Sequence, residues 1–199
     1  MEQGLPIDWN ACREAGRDGR LMGLLAKLPS ERWAEKNGCG ITLLHCACLG
    51  PNAAAVVVLL QRAHLDVNAR DKWGGTPAQY AAAWKQPCVL EVLCAASADV
   101  MTRQDGFTPI EWATGSAYKD DGKSARVLIA NGVRLSTVRA DQRDLIPPEL
   151  VAFERDVLRC RAAVVSILSV KREGNLWRWD KFLLREIAYA VWATRMCKQ

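Results

Sequence analysis

The stretch GCGITLLHCAC at residues 38–48 decides the fold, because two later stretches of the chain repeat its pattern. These are WGGTPAQYAAA at residues 73–83 and QDGFTPIEWAT at residues 104–114. Each contains a threonine, and an alanine follows it five residues later. The threonines are Thr42, Thr76 and Thr108, which are 34 and then 32 residues apart. A steady period of this length predicts a repeat architecture, in which each unit buries its apolar face against the next unit.

An apolar pair and a short linker complete each copy of the repeat. The pairs are Leu59-Leu60, Leu93-Cys94 and Leu128-Ile129, and the linkers include HLDVNARD at residues 64–71 and SADVMTRQD at residues 97–105. The combined pattern, D-x-x-G-x-T-P-L-H-x-A-A, a Leu-Leu pair and G-A-D-V-N-A, resembles the ankyrin repeat. The resemblance implies a mainly all-α fold: a solenoid of helix–turn–helix units with short β-hairpin loops.

The repeat pattern also divides the chain. It implies an ankyrin-repeat domain over residues 1–138, followed by a C-terminal helical cap or tail over residues 139–199. The domain would contain a degenerate capping repeat at 4–36 and repeats at about 37–70, 71–102 and 103–138. In the tail, the pattern predicts a loop, a helix that begins at a Pro-Pro pair and runs to about Lys171, and a second helix capped by Asp180. Such a helical pair would cover the exposed end of a solenoid.

One polar position differs among the three copies. Thr before Pro suits the start of a helix, because the hydroxyl caps free N–H groups and Pro is tolerated in the first turn. Three residues after the threonine the copies carry His45, Gln79 and Glu111. Gln79 and Glu111 stand where the ankyrin pattern has His, so we expect repeats two and three to differ in their inter-repeat hydrogen bonding.

A cluster of soft ligands in the first copy raises the question of a metal site or a reactive thiolate. The cluster consists of Cys39, His45, Cys46 and Cys48. On a helix Cys46 and Cys48 point about 200° apart and cannot both face one metal. Only His45 and Cys48, three residues apart, could share a metal ion, and two ligands do not make a zinc site. Cys46 shares its slot with Tyr80 and Trp112, which predicts that all three are core residues. We expect no metal, no cofactor and no enzymatic activity, since the sequence contains none of the common catalytic motifs.

Large side chains occupy the positions through which ankyrin proteins contact partners, the hairpin tips and the concave face of the first helices. The resemblance places candidate partner-binding residues at Lys72, Trp73, Trp84, Gln104, Asp105 and Phe107. Aromatic side chains in such positions are common interface anchors. The alternative, that the aromatic rings pack on neighbouring hairpins, stays open. We expect a protein–protein interaction module or adaptor that binds another protein rather than a small molecule.

The tail leaves two further functions open. The net charge is +5, and residues 139–199 carry 12 Lys and Arg against 8 Asp and Glu. A binder of nucleic acid or an anionic surface through these basic helices is therefore an alternative, although interspersed acids favour a solvated face. In addition, LIPPEL at residues 145–150 resembles the opening of F-box-like segments, which in poxvirus ankyrin proteins recruit ubiquitin ligase.

The cell compartment follows from the N-terminus and the cysteines. The first residues have neither a basic nor an apolar signal region, so we expect a protein of the cytoplasm or nucleus that is not secreted and keeps its thiols reduced. No apolar run is long enough to span a membrane. The architecture also resembles ankyrin proteins of giant DNA viruses of amoebae, which would imply the host cell cytoplasm.

Overall fold

The structure is a computed structural model, and it describes residues 6–62, 65–115 and 122–170. The helices are α1 (Trp9–Arg17), α2 (Leu21–Leu25), α3 (Leu43–Ala47), α4 (Ala53–Arg62), α5 (Pro77–Ala83), α6 (Pro87–Ala95), α7 (Pro109–Gly115), α8 (Lys123–Ala130) and α9 (Pro148–Val170). Short 3₁₀ turns lie at Ser30–Arg32, Leu135–Thr137 and Ala140–Leu145. Within these ranges the loops contain isolated bridges, Lys36 with Thr42 and Gln104 with Phe107, and no strand. The mainly α-helical class is confirmed.

Helices α1 to α8 form four pairs of consecutive helices, and the pairs pack side by side. Within a pair, α3 packs on α4, α5 on α6 and α7 on α8. Between pairs, the first helices form one layer, in which α1 packs on α3 and α5 on α7. The second helices form another layer, in which α2 packs on α4, α4 on α6 and α6 on α8. We call the layer of α1, α3, α5 and α7 the inner helices.

Two of the predicted threonine caps are present, at the start of α3 and of α5. Thr42 and Thr76 each accept a hydrogen bond from the backbone N–H three residues later, and the side chain at that later position bonds back to the threonine N–H. This reciprocal arrangement satisfies two of the N–H groups that a helix start leaves free. Asp8 caps α1 in a similar way, accepting from Asn10 N and Ala11 N. The start of α1 therefore uses an acid where the later copies use threonine.

The core lies between the two helix layers. Its largest side chains are less than 2% exposed and include Leu21, Leu25, Leu43, Leu44, Leu59, Leu90, Leu93, Ile110, Leu128 and Ile129. Burial of each such side chain contributes about 1.5–3 kcal/mol. The repeated alanines Ala47, Ala81 and Ala113 are also buried, which lets the inner helices approach one another closely. The first leucine of each apolar pair, at Leu59, Leu93 and Leu128, and the repeated alanines are thus part of this core.

The prediction that Tyr80 and Trp112 are core residues was wrong, because both are half-buried. Cys46, in the corresponding slot, is fully buried. The larger Tyr80 ring leans toward the preceding repeat, where it meets His45 edge-on at 5.0 Å between ring centroids. Its hydroxyl donates to Asp71 Oδ2 at 2.7 Å. A slot that buries a thiol therefore leaves part of a tyrosine or tryptophan at the surface.

The chain divides into two compact units, residues 1–150 and 151–199. The predicted long helix after the Pro-Pro pair is confirmed as α9. Residues 140–145, for which a loop was predicted, form a 3₁₀ turn instead. The second tail helix, the cap at Asp180 and most of the basic tail lie outside the described residues. In the described part of the chain, no helix is both long and apolar enough to cross a membrane.

Candidate functional site

The loop that presents Lys72 and Trp73 is built around one carboxylate. Asp71 Oδ1 accepts hydrogen bonds from Trp73 N at 2.9 Å and Gly75 N at 2.7 Å, and Asp71 N donates to Gly75 O at 3.0 Å. Asp71 is 6% exposed, so these bonds are shielded from water. The turn over residues 71–75 is therefore held in one conformation before any partner binds.

Adjacent turns are joined to each other by hydrogen bonds. Lys72 N donates to Cys39 O in the preceding turn at 2.9 Å. On the other side, Gln79 Nε2 donates to Thr102 O at 2.9 Å and to Phe107 O at 3.4 Å. These bonds place the turns of three successive repeats in a row along one edge of the stack.

Lys72 and Trp73 form an exposed pair at the centre of this row. Trp73 is 52% exposed, and the Lys72 ammonium lies 4.4 Å from the centroid of the indole ring. A cation–π contact at an exposed site contributes about 0.5–1 kcal/mol, enough to bias the orientation of both side chains. The next turn adds half-buried Gln104 and exposed Asp105, whose backbone has a left-handed φ of 51°. We call Lys72, Trp73, Gln104 and Asp105 the tip surface.

Phe107 belongs to the same turn as Gln104 but is less available. It is half-buried, its ring centroid lies 5.2 Å from that of Trp112, and the Arg139 guanidinium lies 4.1 Å from its centroid. Both of these neighbours are within its own chain. The packing alternative raised by the sequence therefore describes Phe107 better than it describes Trp73.

Trp84 stands apart from the other candidates. It follows the last residue of α5, whereas the tip surface precedes the first residue, so about 10 Å of helix separates them. Its ring is half-buried and lies 4.9 Å from the Arg17 guanidinium carbon. The six predicted residues thus fall into a row of turns and a separate place at the far end of an inner helix.

The polar side chain three residues after each threonine forms hydrogen bonds to the repeat or segment that follows. His45 Nδ1 accepts from Thr42 N at 3.2 Å, and its Nε2 lies 3.1 Å from Gly75 O, to which it donates. Gln79 has the same two functions, since its Oε1 accepts from Thr76 N at 2.8 Å and its Nε2 donates to Thr102 O. In both repeats the side chain accepts a bond locally and donates one to the following repeat.

Glu111 reverses the second of these bonds, because a carboxylate can only accept. It accepts a hydrogen bond from Thr108 N at 2.7 Å. Where His45 and Gln79 donate to a backbone carbonyl, Glu111 accepts a second hydrogen bond, from Arg139 N at 2.8 Å. The guanidinium groups of Arg103 and Arg139 each lie 3.4 Å away. Burial acts to raise the pKa of Glu111, but these hydrogen bonds and the Arg103 charge together hold it below its usual value. The third repeat therefore differs in its hydrogen bonding as expected, whereas Gln79 in the second repeat keeps the pattern of His45.

The cysteines and histidine of the first copy have structural environments. Burial raises the pKa of Cys46 to about 12 and that of Cys48 well above its usual value, so neither is a thiolate near neutral pH. Both ring nitrogens of His45 are engaged in the bonds described above. Across the described ranges no three His, Cys, Asp or Glu side chains converge as metal ligands would.

Two arginines that the sequence interpretation missed also lie on the inner helices. Arg13 and Arg17 are exposed residues of α1, four positions apart. Counted from the cap Asp8, Arg13 falls in the slot that Ala47, Ala81 and Ala113 fill in later repeats. That substitution of a cation for the recurrent alanine was the signal that could have revealed it.

Comparison with known proteins identifies the part of the chain that contains most of the repeats. Residues 10–104 match the family described as ankyrin repeats, in three copies. The chain is also similar to SMC5-SMC6 complex localization factor protein 1 of Bos taurus and of Homo sapiens, with 33% identity over 87 residues in each case. This similarity covers 42% of the chain but only 8% of each relative, so the chain matches a small part of those proteins.

Proposed function

Since residues 10–104 are ankyrin repeats, a module of protein–protein interaction, we propose that the chain binds a partner protein through its tip surface. The observation that carries the proposal is Trp73, a large aromatic side chain that is 52% exposed at the centre of the row of turns. A tryptophan that is exposed in the free protein and becomes buried against a partner is among the commonest sources of binding energy in protein interfaces. The function is non-enzymatic, and it rests on contacts rather than on a reactive group.

The rigidity of the turn supports this function. Binding is weakened by the entropy lost when flexible loops and side chains become ordered. The bonds from Trp73 N and Gly75 N to Asp71 fix the backbone in advance, and the Lys72 ammonium restricts the indole. An anchor that is already ordered loses less entropy when it is buried against a partner.

The names of the similar proteins agree with a function in bringing proteins together. Both relatives are named localization factors of a complex. We infer that this chain likewise acts as an adaptor that holds one protein near another. The proposal concerns this activity alone, because the similarity covers 8% of the relatives' length.

Quantitative affinity purification tests the proposal. Cell extract is passed over the intact chain, over the Lys72→Ala/Trp73→Ala variant and over Met22→Ala, which removes an exposed apolar side chain from α2. We expect a defined set of proteins to be lost from the tip variant and retained by Met22→Ala. The melting temperatures of the three proteins should agree closely, since the altered side chains are exposed. Identical sets of bound proteins on all three would show that the tip surface is not the binding site.

A further inference from the structure

The second and third repeats end in turns of the same backbone form, which we call the linker turns and which span residues 97–102 and 132–137. In the second repeat Ala98 N donates to Leu93 O at 2.9 Å. In the third repeat Val133 N makes the corresponding bond to Leu128 O at 3.1 Å. The residue before each donor has a left-handed φ, of 63° and 102° respectively. The two linker turns can therefore be compared residue by residue.

The acid of the earlier linker turn is replaced by a cation in the later one. Asp99 Oδ1 accepts hydrogen bonds from Met101 N at 2.8 Å and from Thr102 N at 3.2 Å, and its Oδ2 accepts from the Thr102 hydroxyl. In the later turn Arg134 stands at the position of the acid, and Thr137 stands at that of the threonine. The Thr137 hydroxyl donates to Arg134 O at 2.6 Å instead. The later turn thus keeps its threonine but lacks the negative charge around which the earlier turn is built.

An exposed serine, Ser136, lies between two arginines in the later linker turn. Arg134 is exposed two residues before it. From the segment that follows, Arg143 Nη2 donates to Ser136 O at 2.9 Å, and Arg143 Nε donates to Val138 O at 3.0 Å. Within the described ranges no Asp or Glu pairs with Arg134 or Arg143, and no residue bonds the Ser136 hydroxyl. The turn therefore places a free hydroxyl beside two cations that lack a counter-charge.

We propose that Ser136 is a phosphorylation site and that its phosphate is held by the guanidinium groups of Arg134 and Arg143. The Arg143 guanidinium already bonds the carbonyl oxygen of the same serine, and a phosphate extends beyond Oγ, so the two groups are within reach of each other. Arginine binds phosphate through charge-assisted hydrogen bonds that are often bidentate. The phosphate supplies to this turn the negative charge that Asp99 supplies to the earlier one. The proposal goes beyond partner binding and does not depend on the tip surface.

The phosphate comes from ATP in the active site of a protein kinase. Ser136 Oγ attacks the γ-phosphorus, the Oγ–P bond forms, and the bond from that phosphorus to the bridging oxygen of ADP breaks. ADP leaves, and the hydroxyl proton passes to the catalytic aspartate of the kinase. A kinase that selects basic side chains fits this segment, because Arg134 lies two residues before the serine and Arg139 three residues after it. The 3₁₀ turn Leu135–Thr137 opens for this step, and two backbone hydrogen bonds close it again.

Phosphorylation of the intact chain by the catalytic domain of protein kinase C, followed by peptide mass spectrometry, tests whether Ser136 accepts a phosphate. The variants are Ser136→Ala, Arg134→Gln and a matched control, Arg62→Gln, which removes the same charge from an exposed position on α4. We expect phosphate on Ser136 at similar rates in the unaltered chain and the control, and at a rate at least about tenfold lower in Arg134→Gln. Absence of phosphate from Ser136, phosphate on Thr137 instead, or equal rates in all three chains that keep the serine would overturn the proposal.

Phosphoserine placed at position 136 during translation tests the arginine contacts without a kinase. We expect it to raise the melting temperature of the chain by about 3 °C, because charge-assisted bonds to phosphate stabilise the folded turn. In Arg134→Gln/Arg143→Gln the same phosphoserine should shift the melting temperature by less than about 1 °C, relative to that variant with serine. Equal shifts in the two backgrounds, or a fall in the first, would show that the arginines do not hold the phosphate. An equal rise on adding inorganic phosphate to the unmodified chain would mean a site for a free anion rather than for a modified serine.

Discussion

Replacing Glu111 by glutamine tests how the third repeat is joined to the segment that follows it. In the native protein the carboxylate accepts from Thr108 N and from Arg139 N, at 2.7 Å and 2.8 Å. A glutamine can keep the first bond through its oxygen, but its amide N–H₂ then faces the Arg139 N–H, donor against donor. Glu111→Gln therefore loses a charge-assisted hydrogen bond and leaves a backbone donor unsatisfied.

The size of the effect follows from these two losses. A hydrogen bond to a charged group contributes about 1.5–3 kcal/mol, and an unsatisfied buried donor costs about 1–3 kcal/mol. The ion pairs add little, because the side chains of Arg103 and Arg139 are 47% and 35% exposed and are screened by water. We expect the free energy of unfolding to fall by about 3 kcal/mol, which corresponds to a drop of about 6–12 °C in melting temperature for a domain of this size.

Urea and thermal unfolding followed by circular dichroism measure this change. Glu91→Gln, at an exposed position on α6, is the matched control and should change stability by less than about 0.5 kcal/mol. The pKa of Glu111 is lowered in the folded state, so its contribution is present at neutral pH and is lost as the pH falls through that value. The difference between Glu111→Gln and the unaltered chain should therefore narrow below about pH 4. A variant as stable as the unaltered chain at pH 7 would refute the reasoning.

Three further predictions concern the packing and titration of the repeats. The pKa of His45 is lowered mainly by burial, so the folded protein is most stable when His45 is neutral, above about pH 6.5, and it loses stability as the pH falls. In His45→Gln the free energy of unfolding should therefore depend less on pH between about pH 7 and 5.5. An unchanged pH dependence would contradict this. Gly50→Ala should destabilise by about 1–3 kcal/mol in urea unfolding because its Cβ meets backbone, whereas Gly23→Ala, with open space around it, should not destabilise. Cys88 is exposed and should react rapidly with a thiol reagent, whereas Cys46 is buried and should react slowly in the native protein. A rapid reaction of native Cys46 would show that this thiol is not buried.

The local features of the repeat were predictable because they depend on neighbouring residues. Thr42 and Thr76 cap their helices as the Thr-to-helix pattern indicates, and Leu59 and Leu93, the first residues of two of the apolar pairs, lie in the core. The hydrophobic period fixes which face of each short helix is buried. Glu111 has no hydrogen-bond donor and stands where the earlier repeats have His45 and Gln79, and this difference correctly indicated a change in hydrogen bonding. The sequence did not identify Arg139 as the new partner.

The candidate site was only partly predictable, because its contacts join residues that are distant in the sequence. Trp73 could be assigned to a turn from the repeat pattern, and it is exposed there. The contact between Arg17 and Trp84 depends on how three inner helices are spaced, which no local pattern encodes. The tail after residue 138 departs from the period, so nothing in the repeat predicted that Arg139 would cover Phe107.

Photo-crosslinking from the tip surface tests the central claim most directly. A photoreactive amino acid is placed at position 73 in one variant and at position 91, on the exposed side of α6, in another. Proteins recovered with the chain are then irradiated and the crosslinks are mapped by mass spectrometry. The tip surface predicts crosslinks to a partner from position 73 and none from position 91. Crosslinks from position 91 alone would contradict it.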